Sequence, residues 1–140
     1  MLYLDTSLLV AAFTHEVQTD RIQAWLKDQT QDELVISDWV TTEFSSALSI
    51  KLRTRQIAVE HRARALVLFT RIYADGLTVL PVSRTNFRTA AGFADHHHLS
   101  LRASDALHLA ICADTGATLC TLDRRLAEAG AALGVPTLLL

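Results

Sequence analysis

The chain of 140 residues lacks several features that would place it in a specialised class of protein. It has only two cysteines, Cys112 and Cys120, and both lie within apolar segments, which favours free, buried thiols over a disulfide. No apolar run approaches the roughly 18 residues that cross a bilayer, and no basic segment precedes the first apolar residues. We therefore expect a cytoplasmic protein without a membrane segment.

The chain has no excess of basic residues, because 13 lysines and arginines accompany 15 acidic residues and the formal net charge is -2. This balance excludes a protein that holds nucleic acid through the electrostatic field of the whole molecule. Any contacts with nucleic acid must therefore be local. Residues 51–64 form one basic segment, in which Lys51 and four arginines accompany the single acid Glu60. This segment is compatible with a local binding patch or with a solvated helix face.

Short apolar segments alternate with helical patterns along the chain. Because we find no repeat, low-complexity tract or linker, we predict one domain over residues 1–140. Strands are predicted at residues 2–5, 34–37, 77–82, 117–121 and 136–140. Among the intervening helices, one is predicted to stop at Asp75 and Gly76, and the last to be closed by Gly130. Since the strands are apolar throughout, the pattern predicts an α/β fold with a parallel sheet covered by helices on both faces.

Four carboxylates lie close to the predicted carboxyl ends of strands, where parallel sheets bind ligands. Asp5 ends the first strand, Glu43 lies early in the helix after the second, Asp105 opens a later helix, and Asp123 follows the fourth strand. Each has an ordinary structural explanation when it is taken singly. Asp105 and Asp123 would complement helix dipoles, Asp5 could cap a helix, and Glu43 could lie on the surface.

Four carboxylates at one sheet edge repel one another unless a cation neutralises them. Oxygen ligands without a cysteine pair favour Mg²⁺ or Mn²⁺ over zinc. Such ions serve phosphate chemistry, in which the ion polarises the phosphoryl group and activates a water. The sequence therefore predicts a divalent-metal site at this edge.

Four segments together resemble the acidic motifs of the PIN domain, in the order of that family and over nearly the whole chain. They are LYLDTSLLV, TTEFSSAL, LRASDALHLA and ATLCTLDRRLAEA. Their order and surroundings most resemble the short VapC-type toxins of bacterial toxin–antitoxin pairs. The resemblance implies a three-layer α/β/α fold with a central, mainly parallel sheet. It also implies a metal-dependent endoribonuclease that cleaves RNA.

The resemblance also implies roles for individual residues. Asp5 and Asp105 would be the main metal ligands, Asp123 would complete the cluster, and Glu43 would bind metal or position a water. The family usually carries acid-orienting hydroxyls where this chain has Thr6, Ser7 and Thr121. It further implies a homodimer held inactive by a small antitoxin, whose tail enters the acidic groove. The chain departs from the usual pattern at Arg124, Arg125 and Leu126, which leaves the RNA target rather than the chemistry open.

Basic residues must line the rim of an acidic groove that binds RNA. The candidates are Arg53, Arg55, Arg84, Arg88, Arg102, Arg124 and Arg125. The run His96-His97-His98 is better explained as a polar surface loop, because adjacent side chains on one loop cannot all reach one ion. His108 lies three residues after Asp105 on the same helical face, so it either packs beneath the site or assists that acid.

Two other functions remain open. A haloacid-dehalogenase-like phosphatase also has an aspartate after its first strand, but it needs a second acid two residues later, where this chain has Ser7. A PIN-like domain that only binds or scaffolds would fit the same pattern, although the four acids argue against it.

Overall fold

The computed structural model describes residues 1–75 and 77–140 and contains five strands and seven α-helices over these residues. The strands are β1 Leu2–Leu4, β2 Leu34–Ser37, β3 Thr78–Leu80, β4 Thr118–Thr121 and β5 Thr137–Leu139. The helices are α1 Thr6–Phe13, α2 Thr19–Lys27, α3 Asp38–Arg53, α4 Val59–Ala74, α5 Arg84–Ala94, α6 Ala103–Thr115 and α7 Arg124–Ala132. Short 3₁₀ turns occur at Gln31–Glu33 and His97–Leu99. None of the helices described is long and apolar enough to cross a membrane.

The five strands form one parallel sheet in the order β3-β2-β1-β4-β5. Strand β1 is therefore central, and its neighbours β2 and β4 end beside it. Helix α1 packs against α2, α3 and α4, whereas α5 packs along α6. The strands are where the apolar runs predict them, within one or two residues at their ends. The prediction of a layered α/β fold with a parallel sheet is confirmed.

Helix α6 is buried along most of its length. The residues from Ala106 to Cys112 are all buried, so the helix is fixed by packing along most of its length. It ends at Gly116, whose φ of 69° is the left-handed conformation that glycine adopts without steric penalty. Because α6 is held so firmly, its first turn presents Asp105 in a defined place. The thiols of Cys112 and Cys120 are free and buried, as the sequence predicts.

The prediction that Gly130 closes the last helix is wrong. Gly130 is buried inside α7, which continues to Ala132. A Cβ at this position would overlap the Thr137 side chain and lie 2.9 Å from Cδ2 of Leu109. Glycine is thus required for close packing of α7 against its neighbours, and not for ending the helix. The other predicted stop, at Asp75 and Gly76, falls partly outside the described residues, since α4 ends at Ala74 and Gly76 is not described.

Candidate active site

Asp5 lies at the junction of β1 and α1 and is buried, with 6% of its surface exposed. It occupies the N-cap position of α1, yet its side chain makes no capping hydrogen bond. The Oδ2 atom instead accepts hydrogen bonds from Ser7 Oγ at 2.6 Å and Thr121 Oγ1 at 2.8 Å. Two hydroxyls therefore fix one carboxylate oxygen, and helix capping does not explain this acid.

The same two hydroxyls connect Asp5 to the segment that follows β4. Ser7 Oγ accepts a hydrogen bond from the Leu122 amide at 3.1 Å, and Thr121 Oγ1 accepts one from the Asp123 amide at 3.0 Å. Because each hydroxyl joins a carboxylate to a backbone amide, the start of α1 and the start of α7 are held in one arrangement. Ser7 and Thr121 thus lie where the resemblance expects acid-orienting hydroxyls.

Glu43 lies on α3 and turns its carboxylate inward. Its Oε2 atom accepts hydrogen bonds from Thr6 Oγ1 at 2.7 Å and from Nε2 of His108 at 2.6 Å. Burial by itself raises the pKa of Glu43. The hydrogen bond and charge of His108, together with hydrogen bonds from Thr6 and Ser104, outweigh burial and bring the pKa below its usual value. Glu43 is therefore a charged, anchored carboxylate and not a solvated surface residue.

His108 is buried beneath the site, with 1% of its surface exposed. Its Nε2 faces Glu43 and lies 3.5 Å from Asp5 Oδ1, while its Nδ1 is 2.8 Å from the hydroxyl of Tyr3. Burial lowers the pKa of His108, but the hydrogen bond that Nε2 donates to the Glu43 carboxylate and the surrounding negative charges raise it above its usual value. The histidine therefore holds Glu43, 65 residues away, and its direct contacts are not with Asp105.

Asp105 lies in the first turn of α6 and is partly buried. Burial raises its pKa, and the negative charges of Asp123 and Asp5 raise it further. An acid whose charge is disfavoured by two neighbouring acids is a natural ligand for a cation, because the cation removes the repulsion. Asp105, Asp123 and Asp5 are thus electrostatically coupled and are called the acidic cluster below, whereas the ligand atoms that lie within 4.8 Å of one another belong to Asp5, Glu43 and His108.

Asp123 caps the start of a helix. It is the N-cap of α7, and its Oδ1 accepts hydrogen bonds from the amides of Arg125 at 2.8 Å and Leu126 at 3.3 Å. Capping engages only one of the two carboxylate oxygens. Because its charge also acts on Asp105, Asp123 can cap α7 and contribute to the acidic cluster at once.

The donor set suits a hard divalent cation. One possible ligand atom from each of Asp5, Glu43 and His108 lies within 4.8 Å of the others. The Nε2 atom of His108 is already hydrogen-bonded to Glu43, which leaves carboxylate oxygens as the ligands. Oxygen ligands at a partly buried site favour Mg²⁺ or Mn²⁺ over softer metals.

The seven candidate arginines are all exposed, but they lie at different places. Arg53 and Arg55 lie at and beyond the end of α3, and Arg53 is ten residues, or about 15 Å of helix, from Glu43. Arg84 and Arg88 lie on α5, whereas Arg102, Arg124 and Arg125 lie within three residues of Asp105 or Asp123. These last three are therefore better placed to meet an RNA backbone at the acidic cluster.

The run from His96 to His98 is exposed, as expected of a surface loop. The rings of His97 and His98 contact each other edge to face, with centroids 5.9 Å apart, and Nδ1 of His96 is 3.0 Å from the Gly92 carbonyl oxygen. These contacts are local to the loop. They do not connect the histidines to the acidic cluster.

Sequence reasoning missed three residues that organise the site. The hydroxyl of Tyr3 lies between Nδ1 of His108 and Oγ of Ser37, at 2.8 and 2.7 Å, and the hydroxyl of Ser104 helps to lower the pKa of Glu43. Each carries a hydroxyl within an otherwise apolar or buried segment. That contrast is the only signal in the sequence that could have identified them.

Comparison with known sequences shows which proteins this chain is similar to. The sequence model of the PIN domain matches residues 2–132. Ribonuclease VapC35 of Mycobacterium tuberculosis is 31% identical over 140 residues, which cover 96% of this chain and 93% of that protein.

Solved structures share the fold at lower identity. The M. tuberculosis toxin VapC20, described as cleaving the Sarcin-Ricin loop, has a TM-score of 0.74 at 16% identity over 93% of this chain and 95% of its own. FitAcB from Neisseria gonorrhoeae has a TM-score of 0.70 at 18% identity, over 98% and 96%. VapBC2 from Rickettsia felis, bound to a promoter DNA fragment, has a TM-score of 0.66 at 18% identity, over 100% and 99%. At these identities the likeness concerns the fold alone.

Proposed function

The chain belongs to the PIN-domain family, and from this premise we propose that it is a metal-dependent endoribonuclease, the toxin of a type II toxin–antitoxin pair. The relative VapC35 is named as a ribonuclease, and several proteins of the same fold are toxins or toxin–antitoxin complexes. This function would place the protein with its RNA substrates in the cytoplasm.

The observation that carries the proposal is the geometry around Asp5, where ligand atoms of Asp5, Glu43 and His108 lie within 4.8 Å of one another. The negative charges of Asp123 and Asp5 also act on Asp105, whose pKa is raised by burial and by these charges. Such a cluster disfavours its own ionisation and is relieved by a bound cation. Asp5 and Asp105 would hold Mg²⁺ or Mn²⁺, which would supply positive charge to the phosphate and activate the attacking water.

The chain's own residues have separate tasks in the proposed hydrolysis. Ser7 and Thr121 fix Oδ2 of Asp5, so that Oδ1 keeps a constant direction. Glu43, anchored by His108 and Thr6, would orient the water for in-line attack on the phosphodiester. Asp123 would complete the charge of the cluster from the start of α7.

Recognition of RNA would rest on the exposed arginines nearest the cluster. A neighbouring positive charge is required because carboxylates repel phosphate until a metal is bound. The groove would also admit basic residues from the tail of a cognate antitoxin, which would meet the same carboxylates. We further propose that the protein acts as a homodimer.

The proposal is tested by comparing Asp5→Asn with Glu128→Gln on a defined RNA in Mg²⁺. Glu128 is an exposed acid on α7, away from the hydrogen bonds described above. We expect Asp5→Asn to remain folded by circular dichroism and to lose cleavage, and Glu128→Gln to cleave at the wild-type rate.

Retained cleavage in a clean preparation of Asp5→Asn would contradict the assigned role of that residue. Calorimetry with Mg²⁺ and Mn²⁺ separates the enzyme from a binding or scaffolding domain, because the enzyme must bind one of these ions. No heat of binding for either ion would overturn the metal-dependent function.

A further inference from the structure

A row of buried polar groups lies behind the Glu43 carboxylate. The hydroxyl oxygen of Tyr3 is 2.7 Å from Oγ of Ser37 and 2.8 Å from Nδ1 of His108. Nε2 of the same histidine is 2.6 Å from Oε2 of Glu43. Ser37, Tyr3 and His108 form this buried network, and their exposed fractions are 0%, 0% and 1%. Because substrate does not reach these side chains, they can act on a reaction only through the carboxylates that His108 contacts.

The buried network joins elements that apolar packing already holds together. Tyr3 lies in β1 between two leucines, Ser37 ends the buried strand β2, and His108 lies within the buried residues 106–112 of α6. Apolar side chains of similar size would fill these places without needing hydrogen-bond partners. Buried polar groups that are fully hydrogen-bonded fix one arrangement of a core more than they add to its stability. The buried network therefore indicates that a defined position is needed, rather than additional cohesion.

Ser37 makes a long-range contact in place of a local one. It occupies the N-cap position of α3, where a serine hydroxyl usually bonds to an amide of the first helical turn. Its side chain makes no such capping bond and contacts Tyr3 of the neighbouring strand instead. Strands β1 and β2 pair directly, which brings the two residues together. A capping bond is thus given up for a bond that supports the partner of His108.

The buried network matches donors with acceptors whether one or both nitrogens of the imidazole carry a proton. The Glu43 carboxylate accepts from Nε2, so a neutral ring leaves Nδ1 as an acceptor for the Tyr3 hydroxyl, which in turn accepts from Ser37. If Nδ1 also carries a proton, the Tyr3 oxygen accepts from it and the Tyr3 hydroxyl donates to Ser37. Because both hydroxyls can rotate, the ring keeps one place in either state. Tyr3 and Ser37 therefore secure the position of His108 rather than its charge.

A half-turn of the His108 ring would put carbon atoms where its two nitrogens lie. The Tyr3 hydroxyl and the Glu43 carboxylate would then each face a C–H group and lose a hydrogen bond. The Tyr3 ring also contacts the imidazole edge to face, with ring centroids 5.6 Å apart. Since Nε2 of His108 lies 3.5 Å from Oδ1 of Asp5 as well, the orientation of this ring affects both carboxylates.

We propose that Tyr3 and Ser37 are positioning residues, which act through His108 to hold the Glu43 carboxylate in the orientation that aligns the attacking water. The inference rests on the proposed ribonuclease function and adds to it two residues that contact neither the RNA nor the ion. Positioning of this kind changes the rate of the chemical step more than it changes binding, because the contacts of the bound substrate stay the same.

The bond between Tyr3 and His108 can be measured without cleavage, by NMR of protein labelled with ¹⁵N-histidine. The other histidines are all exposed, so the ring N–H signal of His108 is identified by its slow exchange with water. We expect Tyr3→Phe to shift the Nδ1 resonance of His108, because that nitrogen loses its partner. The control Thr19→Val also removes a buried hydroxyl, bonded to the carbonyl oxygens of Ala11 and Thr14, and should leave the His108 signals in place. Unchanged His108 signals in Tyr3→Phe would overturn the inference.

Cleavage kinetics test the role of the buried network with the same pair of variants, at a temperature where both are folded by circular dichroism. We expect Tyr3→Phe to lower kcat by about 10- to 100-fold, the range typical of groups that orient the residues of a metal site. KM and the Mg²⁺ dissociation constant should change little, and Thr19→Val should keep all three constants.

Ser37→Ala provides a second, milder variant of the buried network. It should lower kcat less than Tyr3→Phe does, and the double variant should lose no more than Tyr3→Phe alone, because both residues act through the same contact with His108. If Tyr3→Phe does not fold, Ser37→Ala carries the comparison, and a wild-type kcat in that variant would overturn the role.

Two kinetic outcomes would overturn the positioning role while leaving the proposed function intact. The first is active protein in which Tyr3→Phe and Thr19→Val have the same kcat, which would make the buried network purely structural. The second is a Tyr3→Phe protein that binds Mg²⁺ more weakly but has the wild-type kcat at saturating metal, which would place the effect on the ion and not on Glu43. Failure of the proposed function has a different signature, because wild-type protein would then not cleave RNA. The positioning role would fail with it, although the NMR signals would still report the bond between Tyr3 and His108.

Discussion

The hydroxyl of Tyr3 is the most informative single atom to remove, because it connects two buried polar residues. It lies 2.7 Å from Ser37 Oγ and 2.8 Å from Nδ1 of His108, whose exposed fractions are 0% and 1%. Tyr3→Phe keeps the ring and therefore opens no large cavity. The substitution leaves Ser37 and His108 each without one partner, in a place that water does not reach.

Loss of hydrogen bonds that leaves buried partners unsatisfied destabilises a protein by about 1–3 kcal/mol. For a domain of this size each kcal/mol lowers the melting temperature by roughly 3–4 °C, so we expect a fall of about 3–12 °C. The loss should also loosen His108, which holds Glu43, and reduce cleavage more than Mg²⁺ binding.

The measurement is urea denaturation of wild type, Tyr3→Phe and the control Thr70→Val. Thr70 is exposed, and its hydroxyl donates to the Leu66 carbonyl oxygen of its own helix, so its replacement should change stability by less than about 0.5 kcal/mol. Ser37→Ala, alone and combined with Tyr3→Phe, should show non-additive losses, because both variants break the same bond. A Tyr3→Phe protein within about 0.5 kcal/mol of wild type would refute the reasoning.

Three further perturbations have expected outcomes. Asp105→Asn should stabilise the metal-free protein by up to about 1 kcal/mol, because it removes a charge that its neighbours disfavour, and thermal melts should then show a smaller stabilisation by Mg²⁺ than in wild type. In wild type, Mg²⁺ at a hundred times its dissociation constant should add about 2.7 kcal/mol of stability, reversed by EDTA; a melting temperature indifferent to both would contradict a metal site. Gly130→Ala should destabilise by about 1–3 kcal/mol in denaturant, since its Cβ would crowd Leu109 and Thr137, whereas Gly92→Ala, with no atom within 4 Å, should be neutral or stabilising.

The strands and the positions of the acids could be predicted because both depend on short-range patterns. An apolar run such as residues 34–37 has to be buried, and parallel strands bring their carboxyl ends to one edge. Asp5 and Asp123 follow neighbouring strands β1 and β4, so their proximity follows once the strand order is known. The fold class could be predicted for this reason.

The partners of individual side chains could not be predicted in the same way. The three-residue spacing of Asp105 and His108 left open whether the histidine assists that acid or packs beneath the site, and α6 is turned so that His108 lies under Glu43 and Asp5. Asp5, which could have capped α1, is held by hydroxyls from two different segments, and only Asp123 caps its helix. The local sequence allowed each of these two acids either to cap a helix or to be held by other side chains of the site.

The sequence by itself determined the kinds of secondary structure, the parallel sheet and the four acids at its edge, since burial and chain direction depend on residue type and order. Only the tertiary structure decided which acid is anchored by hydrogen bonds and which has its pKa raised by the charge of neighbouring acids. The physical reason is that the rotation of each helix about its axis is set by packing against distant residues. Glu43, His108 and Tyr3 come from three separate elements, and their hydrogen bonds exist only where those elements meet.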